Sequence, residues 1–335
     1  MRQKLGIRVS IAVAVTAAWM LIGAVAAQAS VISIGSVLPE GFTPKKFERV
    51  QTLFNTALPE PGANLSSPVS GAVIRWRVQG AKGGPFYLRV LHPNGKGAYE
   101  AAGKSQGVTP NGLGLQTFET NLKIQTGDLI GIDPTSAEDE VGVKTESGAS
   151  YASIFPTPFD GSIVAPSASF PGEEIELSAE VQPAPEVNLV SPPSGSIAGG
   201  TVVTITGKNL GGASAVEFGS TPAASFTVDS DTEITATTPR GPQPGKVDVS
   251  VKTIAGKNVN TRFDDYVYLA CVVPSIKGKS LKVAKRLLNR RGCKLGHVKK
   301  VDAPKPKLVG KVLKQTPTAG KVLSPGARVR IKLGS

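Results

Sequence analysis

The sequence predicts a mainly β, multidomain protein with one short helix near its C-terminus. Three observations carry that expectation. The 38 glycines and 26 prolines divide the chain into short runs, the punctuation of tight turns between strands. In "VIRWRVQ" (73–79), Ile74, Trp76 and Val78 alternate with Arg75 and Arg77, the period of a half-buried strand. Between Ser280 and Gly292, by contrast, the apolar residues recur at helical spacing. At 335 residues, 40% of them apolar, the chain has material for two or three domains with cores of their own.

The N-terminus has the layout of an export signal. A basic start (Arg2, Lys4, Arg8) leads into an apolar run from Val9 to Ala27, and "AQAS" places Ala27 and Ala29 ahead of a cut before Ser30. Residues 1–29 are expected to be a signal peptide cleaved after Ala29. An uncleaved anchor is the alternative, because the run is nearly long enough to span a bilayer. Either way the chain from Ser30 onward is expected outside the cell, secreted or envelope-associated. Two histidines and two cysteines leave little material for a metal centre or a nucleophile–base pair, so no metal, cofactor or catalytic residue is expected.

Residues 30–183 read as strands throughout. "FYLRVLHPNGKGAYEA" (86–101) sets a Pro-Asn-Gly turn between two strand-like runs, a hairpin signal. "GDLIGID" and "EEIELSAEV" add short strands between breaks. The expected architecture is an antiparallel β-sandwich, jelly-roll-like. Its candidate functions are a calcium site in the acidic loop (Asp133, Glu138, Asp139, Glu140), against a solvated turn, and a sugar-stacking platform from Trp76, Phe86 and Tyr87, against core packing. His92 reads as an exposed turn residue. A glycan hydrolase using two carboxylates would draw on Glu119, Asp128 or Asp133, although no pair is singled out.

The Pro-rich "VQPAPEV" (181–187) marks a junction near residue 184. Residues 184–269 then carry Pro193, Gly199-Gly200-Thr201, a strand from Val202 to Thr206 and Gly207-x-Asn209-Leu210. "VEFG" (216–219), "ITATTP" (234–239) and Gly245 before "KVDVSV" follow. Val203 and Ile205 should face one side of that strand, with Thr204 and Thr206 on the other. This segment resembles the IPT/TIG domain, which implies an immunoglobulin-like sandwich. With no charged or aromatic cluster of its own, it reads as a spacer.

From Cys271 to Ser335 there are 18 lysines and arginines against one acid, Asp302, whereas residues 30–270 hold 17 basic and 24 acidic side chains. The whole excess of +13 therefore comes from this last module and the N-terminal leader. Ser280 fits a helix N-cap. Leu281, Ala284 and Leu288 form an apolar stripe with Val283 and Leu287 beside it, and Gly292 closes the helix. Three strand-like pieces come next, "LGHVKKV", "GKVLKQTP" and "ARVRIKL". "GKS" (278–280) is not a phosphate-binding loop, since that motif needs Gly where Val273 stands.

Residues 270–335 resemble a PASTA domain from end to end. The matches are Val273-Pro274, Gly278, Leu281, Ala284, Leu287-Leu288 and Gly292, then Gly310-x-Val312, Gln315-x-Pro317, Gly320, Gly326 and Val329. The resemblance implies one helix on a three-stranded sheet and an extracellular role in cell-wall recognition. The two cysteines resemble the variant found in secreted actinobacterial proteins. A Cys271–Cys293 disulfide would staple a thin core whose cations repel, stabilising it by roughly 3 kcal/mol in the chain-entropy picture. The rival, a redox pair, lacks Cys-x-x-Cys spacing. Only one PASTA unit is present, without kinase or Ser-x-x-Lys signatures.

The expected partner is thus peptidoglycan or an anionic wall polymer rather than nucleic acid. Arg286, Arg290, Arg291, Lys299 and Lys300 are the candidate contacts, because the helix end and first strand adjoin. A solvated face is the plain alternative. The expected function is that of a secreted, non-enzymatic, cell-envelope-associated binding protein. Its N-terminal sandwich would take a glycan or protein ligand, or house the wall-glycan hydrolase.

Overall fold

The computed structural model describes residues 30–38, 41–112 and 114–335. The expected signal peptide lies outside them. None of the described helices is long and apolar enough to cross a membrane.

The N-terminal unit comprises β1 (Ile32–Gly35), β2 (Thr43–Lys46), β3 (Thr52–Ala57), β4 (Gly71–Val78), β5 (Tyr87–Pro93) and β6 (Tyr99–Lys104). It continues through β7 (Gln116–Ile124), β8 (Leu129–Asp133), β9 (Glu140–Ile154), β10 (Ile163–Val164), β11 (Ala168–Ile175) and β12 (Leu177–Pro183). One sheet runs β1-β12-β4-β7, and the other runs β10-β6-β5-β8-β3-β9-β11 with β2 also on β9. Setting aside β2 and the insertion β9 to β11, first and last strands pair, third and sixth follow, and the facing sheet interleaves the rest. This is jelly-roll topology. The inserted β9–β11 hairpin extends the sheet beyond β3.

Trp76, Phe86, Leu88, Tyr151 and their neighbours fill the space between the sheets. The alternation read in β4 slips once. A register shift between Val73 and Arg75 puts Val73, with Trp76 and Val78, into the core, while Ile74 is only half-buried. A single extra residue reverses the face of everything beyond it.

The junction is pinned from both sides: the Ala184 N–H donates to Ser70 O at 3.0 Å and the Asn209 amide to Ala184 O at 3.2 Å. The next strands are β13 (Glu186–Ser191), β14 (Ser194–Ser196), β15 (Val202–Lys208), β16 (Ala215–Phe218) and β17 (Thr221–Pro222). They are followed by β18 (Ser225–Ser230), β19 (Glu233–Thr237), β20 (Gly245–Thr253), β21 (Gly256–Lys257) and β22 (Asp265–Leu269). Sheets β13-β15-β19-β18 and β14-β22-β20-β16-β17, with β21 on β20, reproduce an immunoglobulin sandwich. Val203 and Ile205 are buried and Thr204 and Thr206 half-buried, as the alternation predicts.

The C-terminal unit holds β23 (Cys271–Val272), α1 (Leu281–Arg290), β24 (Lys294–Val301), β25 (Val312–Thr316), β26 (Val322–Leu323) and β27 (Arg328–Gly334). Its sheets are β24-β27-β25 and the short β23-β26 pair. Ser280 caps α1 by accepting from the Val283 N–H. Ala284 and Leu288 are buried against Val312, Val329, Ile331 and Leu333. Leu281, expected on the same stripe, is exposed. Gly292 closes the helix at φ +68°, where a Cβ would meet Ala270 O at 2.5 Å.

Cys271 and Cys293 are buried and joined as a disulfide across 22 positions. It ties β23 to the turn leaving α1. Replacing both cysteines by serine is expected to destabilise the C-terminal unit by about 3 kcal/mol. Denaturant unfolding of the full chain checks this: the module's transition should move to lower denaturant while those of the two β units stay in place.

Candidate functional site

The cations of the C-terminal module gather on a face that residue spacing alone did not show. In β27, Val329, Ile331 and Leu333 turn inward to α1, so Arg328, Arg330 and Lys332 turn outward. In β25, Val312 opposes the inward Leu333, and a regular ladder would set Leu313 opposite Lys332. A register shift skips Leu313 and places Lys314 there instead. In β24, Leu295 opposes Val329, and the next shift brings Val298 to Ile331 and Lys299 to Lys332. Two irregularities therefore align Lys299, Lys332 and Lys314 in one row across three strands. Like charges directly opposite each other on a sheet are destabilising.

Around this row His297, Arg330 and Thr316 complete an open groove of 240 Å³. Thirteen ion pairs occur among the described residues, and all lie before residue 266. Among the described residues, none of the module's cations has a carboxylate within ion-pair distance.

The five cations singled out in the sequence do not make one surface. Arg286, Arg290 and Arg291 sit at the exposed side and end of α1, whose buried side covers the inner face of the sheet. Lys299 is on the opposite, outer face. Lys300 opposes the inward Leu333, so it leaves the sheet at its other side. Lys314, Arg330 and Lys332 were missed, although alternating cations in "RVRIKL" carry the signal for the last two.

The N-terminal candidates are resolved by burial and pairing. Trp76 and Phe86 are fully buried core, and Tyr87 packs against Gly107 under Lys104, so no aromatic platform forms. The acidic loop does not converge on a cation. Asp133 is buried against Arg89, whose Nε donates at 2.7 Å, and Glu138 pairs with Lys46. Asp139 accepts from the N–H groups of Gly84, Thr135 and Ser136. His92 belongs to the end of β5 rather than to a free turn, with Nδ1 2.5 Å from Asp128. Glu119 pairs with Arg75 at the surface. Three aspartates of the second unit, Asp248, Asp264 and Asp265, lie close together. Asn260, Asn258 and Lys246 respectively hydrogen-bond to them.

Two features had no sequence signal. One is a 420 Å³ groove beside the β9–β11 hairpin, where Tyr151 stacks on Phe170 at 4.6 Å and the Arg49 guanidinium lies 5.0 Å from the exposed Phe155 ring. The other is a buried group of carboxyls. Glu174 and Glu176 are fully buried; Glu174 accepts from Ser36 at 3.2 Å, and neither oxygen of Glu176 accepts a hydrogen bond. Lys144 reaches Glu60 and Glu146, both at 2.9 Å. Burial, followed by the neighbouring Glu60, pushes Glu174 up to about 8, and burial pushes Glu176 up to about 7. Burial acts on Glu60 in the same sense, but hydrogen bonds led by Lys144 leave it below its ordinary value.

Two known families match this chain: the IPT/TIG domain over residues 185–268 and the PASTA domain over residues 272–335. Neither covers the N-terminal unit. No curated protein matches the chain. Among solved structures it is similar to the plexin A4 full extracellular region at 17% identity and a TM-score of 0.26. That match covers 65% of this chain and spans 18% of that one, and at this score it carries no argument. The chain thus contains an IPT/TIG domain and a C-terminal PASTA domain.

Because Glu174 and Glu176 hold their protons above the ordinary 4.5, their contribution to stability is complete below that value and disappears as pH rises through about 7 and 8. The unfolding free energy of the N-terminal unit, measured by urea denaturation, is expected to fall between about pH 5 and about pH 8, by an amount on the order of a few kcal/mol. Glu174→Gln with Glu176→Gln should flatten that slope, read by fluorescence-detected unfolding at each pH.

Proposed function

We propose that the protein is a secreted, non-catalytic, cell-envelope-associated binding protein whose PASTA domain attaches it to the wall. The observation that carries this reading is the segregation of charge: 18 cations against one acid in the last 65 residues, none of those cations being ion-paired among the described residues. The two β units carry more acids than bases and hold all thirteen ion pairs found among the described residues, so the excess is not a general property of the surface. Solubility asks for a mixed surface, not for one sign on one small module. The disulfide suits an oxidising compartment outside the cytoplasm, and it agrees with the leader-like N-terminus.

In this arrangement the IPT/TIG domain is a spacer and the jelly roll displays a second surface. The groove of Arg49, Phe155 and Phe170 favours a glycan there: aromatic faces beside cations suit a sugar ring bearing an acid group.

The direct test is co-sedimentation of the full chain with purified wall sacculi across a salt series. Binding is expected, and it should weaken steeply from low to physiological salt as screened contacts are lost. Failure to pellet at any salt would remove the anchoring role. Release of reducing sugar from the sacculi would instead support a hydrolase.

A further inference from the structure

We infer that the outer face of the C-terminal sheet binds a linear phosphodiester polymer, laid across the strands so that successive phosphates meet Lys299, Lys332 and Lys314. The inference rests on the proposal that this module contacts the envelope, and it names the surface and chemistry of that contact.

Three features of the face point to this ligand class. The row is assembled by two register shifts; with regular ladders Leu313 and Val298 would stand opposite Lys332 instead. Bulges of this kind re-aim side chains, often beside binding sites. Adjacent strands lie roughly 4.8 Å apart, so the row spans about 10 Å across the sheet. That extent suits a chain carrying several charges rather than a single small anion.

The groove is also nearly all donors. Three lysines and Arg330 offer only N–H groups, Thr316 is the one hydroxyl, and no carboxylate lines it. Its complement is a ligand rich in acceptors that stays charged at every physiological pH, as a phosphodiester does. Lysine binds phosphate as a point charge, and the Arg330 fork can take two oxygens of one group. Finally, the imidazole of His297 is the only ring along the groove. A neutral sugar chain or the bases of a single strand would find no stacking platform of the usual kind, so recognition falls on the polymer's charges.

The test uses the full chain and three probes: synthetic poly(glycerol phosphate), polygalacturonate of matched charge, and single-stranded DNA. Poly(glycerol phosphate) is expected to bind most tightly. Lys299→Gln, Lys314→Gln and Lys332→Gln together should weaken it about ten-fold, the combined effect of three screened contacts. The same loss of charge on the helix, by Lys282→Gln, Lys285→Gln and Arg286→Gln, should change it by no more than about two-fold, since distant charges are largely screened.

The sheet variant relieves like-charge repulsion, so its melting temperature should be unchanged or higher. A lower one would mean that the row serves folding, and would overturn the inference. Equal losses in both variants would mean diffuse attraction and also overturn it. So would tighter binding of polygalacturonate or DNA, or no binding of any probe. Full-chain pelleting with sacculi stripped of anionic polymers separates the two proposals. Undiminished pelleting there, with no poly(glycerol phosphate) binding, leaves wall attachment standing and sinks the phosphate site.

Discussion

Repulsion among like charges on a very small fold is the constraint around which the C-terminal module is built. Ten buried residues form its core, two of them the bonded cysteines. A core of that size supplies little surplus stability. Against it stand 18 cations, three of them held side by side on adjacent strands. The Cys271–Cys293 bond offsets this by limiting the unfolded chain, and it acts where β23 enters and α1 leaves. The covalent tie lets the sheet carry a charge pattern that packing alone would resist, and the anion binding proposed above would relieve that repulsion.

The two β units solve the opposite problem. Many of their charges are matched in place, at the surface by pairs such as Lys46–Glu138 and in the interior by Arg89 with Asp133, with the exposed Asp160 reaching Arg89 from outside. Where matching is incomplete, at Glu174 and Glu176, burial keeps protons on the carboxyls instead. The jelly roll is thereby favoured by acidic surroundings, whereas the PASTA domain stays cationic there. Acidification would tighten the first without discharging the second.

How much of this was legible in the sequence depended on how local the signal was. Turn residues and alternation were sufficient for the β class, the hairpin at Asn94 and the immunoglobulin-like strands, since each is decided within a few residues. The Ser280 cap and the Gly292 stop were legible for the same reason. The cationic face was not, because it depends on register. One skipped residue in β25 and one in β24 decide whether Lys or an apolar side chain stands opposite Lys332, and no spacing rule announces a bulge. Helix and strand adjacency suggested grouping Arg286, Arg290 and Arg291 with Lys299. The sheet separates them, since α1 covers the face that Lys299 does not occupy. The buried carboxyls were equally hidden: Glu60, Lys144 and Glu174 are far apart in the chain and meet only through the β9–β11 insertion.

The central claim is that the protein meets the wall through the outer face of its C-terminal sheet. Lysine acylation footprinting of the full chain, free and bound to sacculi, tests it residue by residue. The account predicts strong protection of Lys299, Lys314 and Lys332, with Lys282, Lys285 and the lysines of the two β units reacting as in the free protein. Protection confined to the helix lysines, or to Lys45 and Lys46 of the jelly roll, would contradict it.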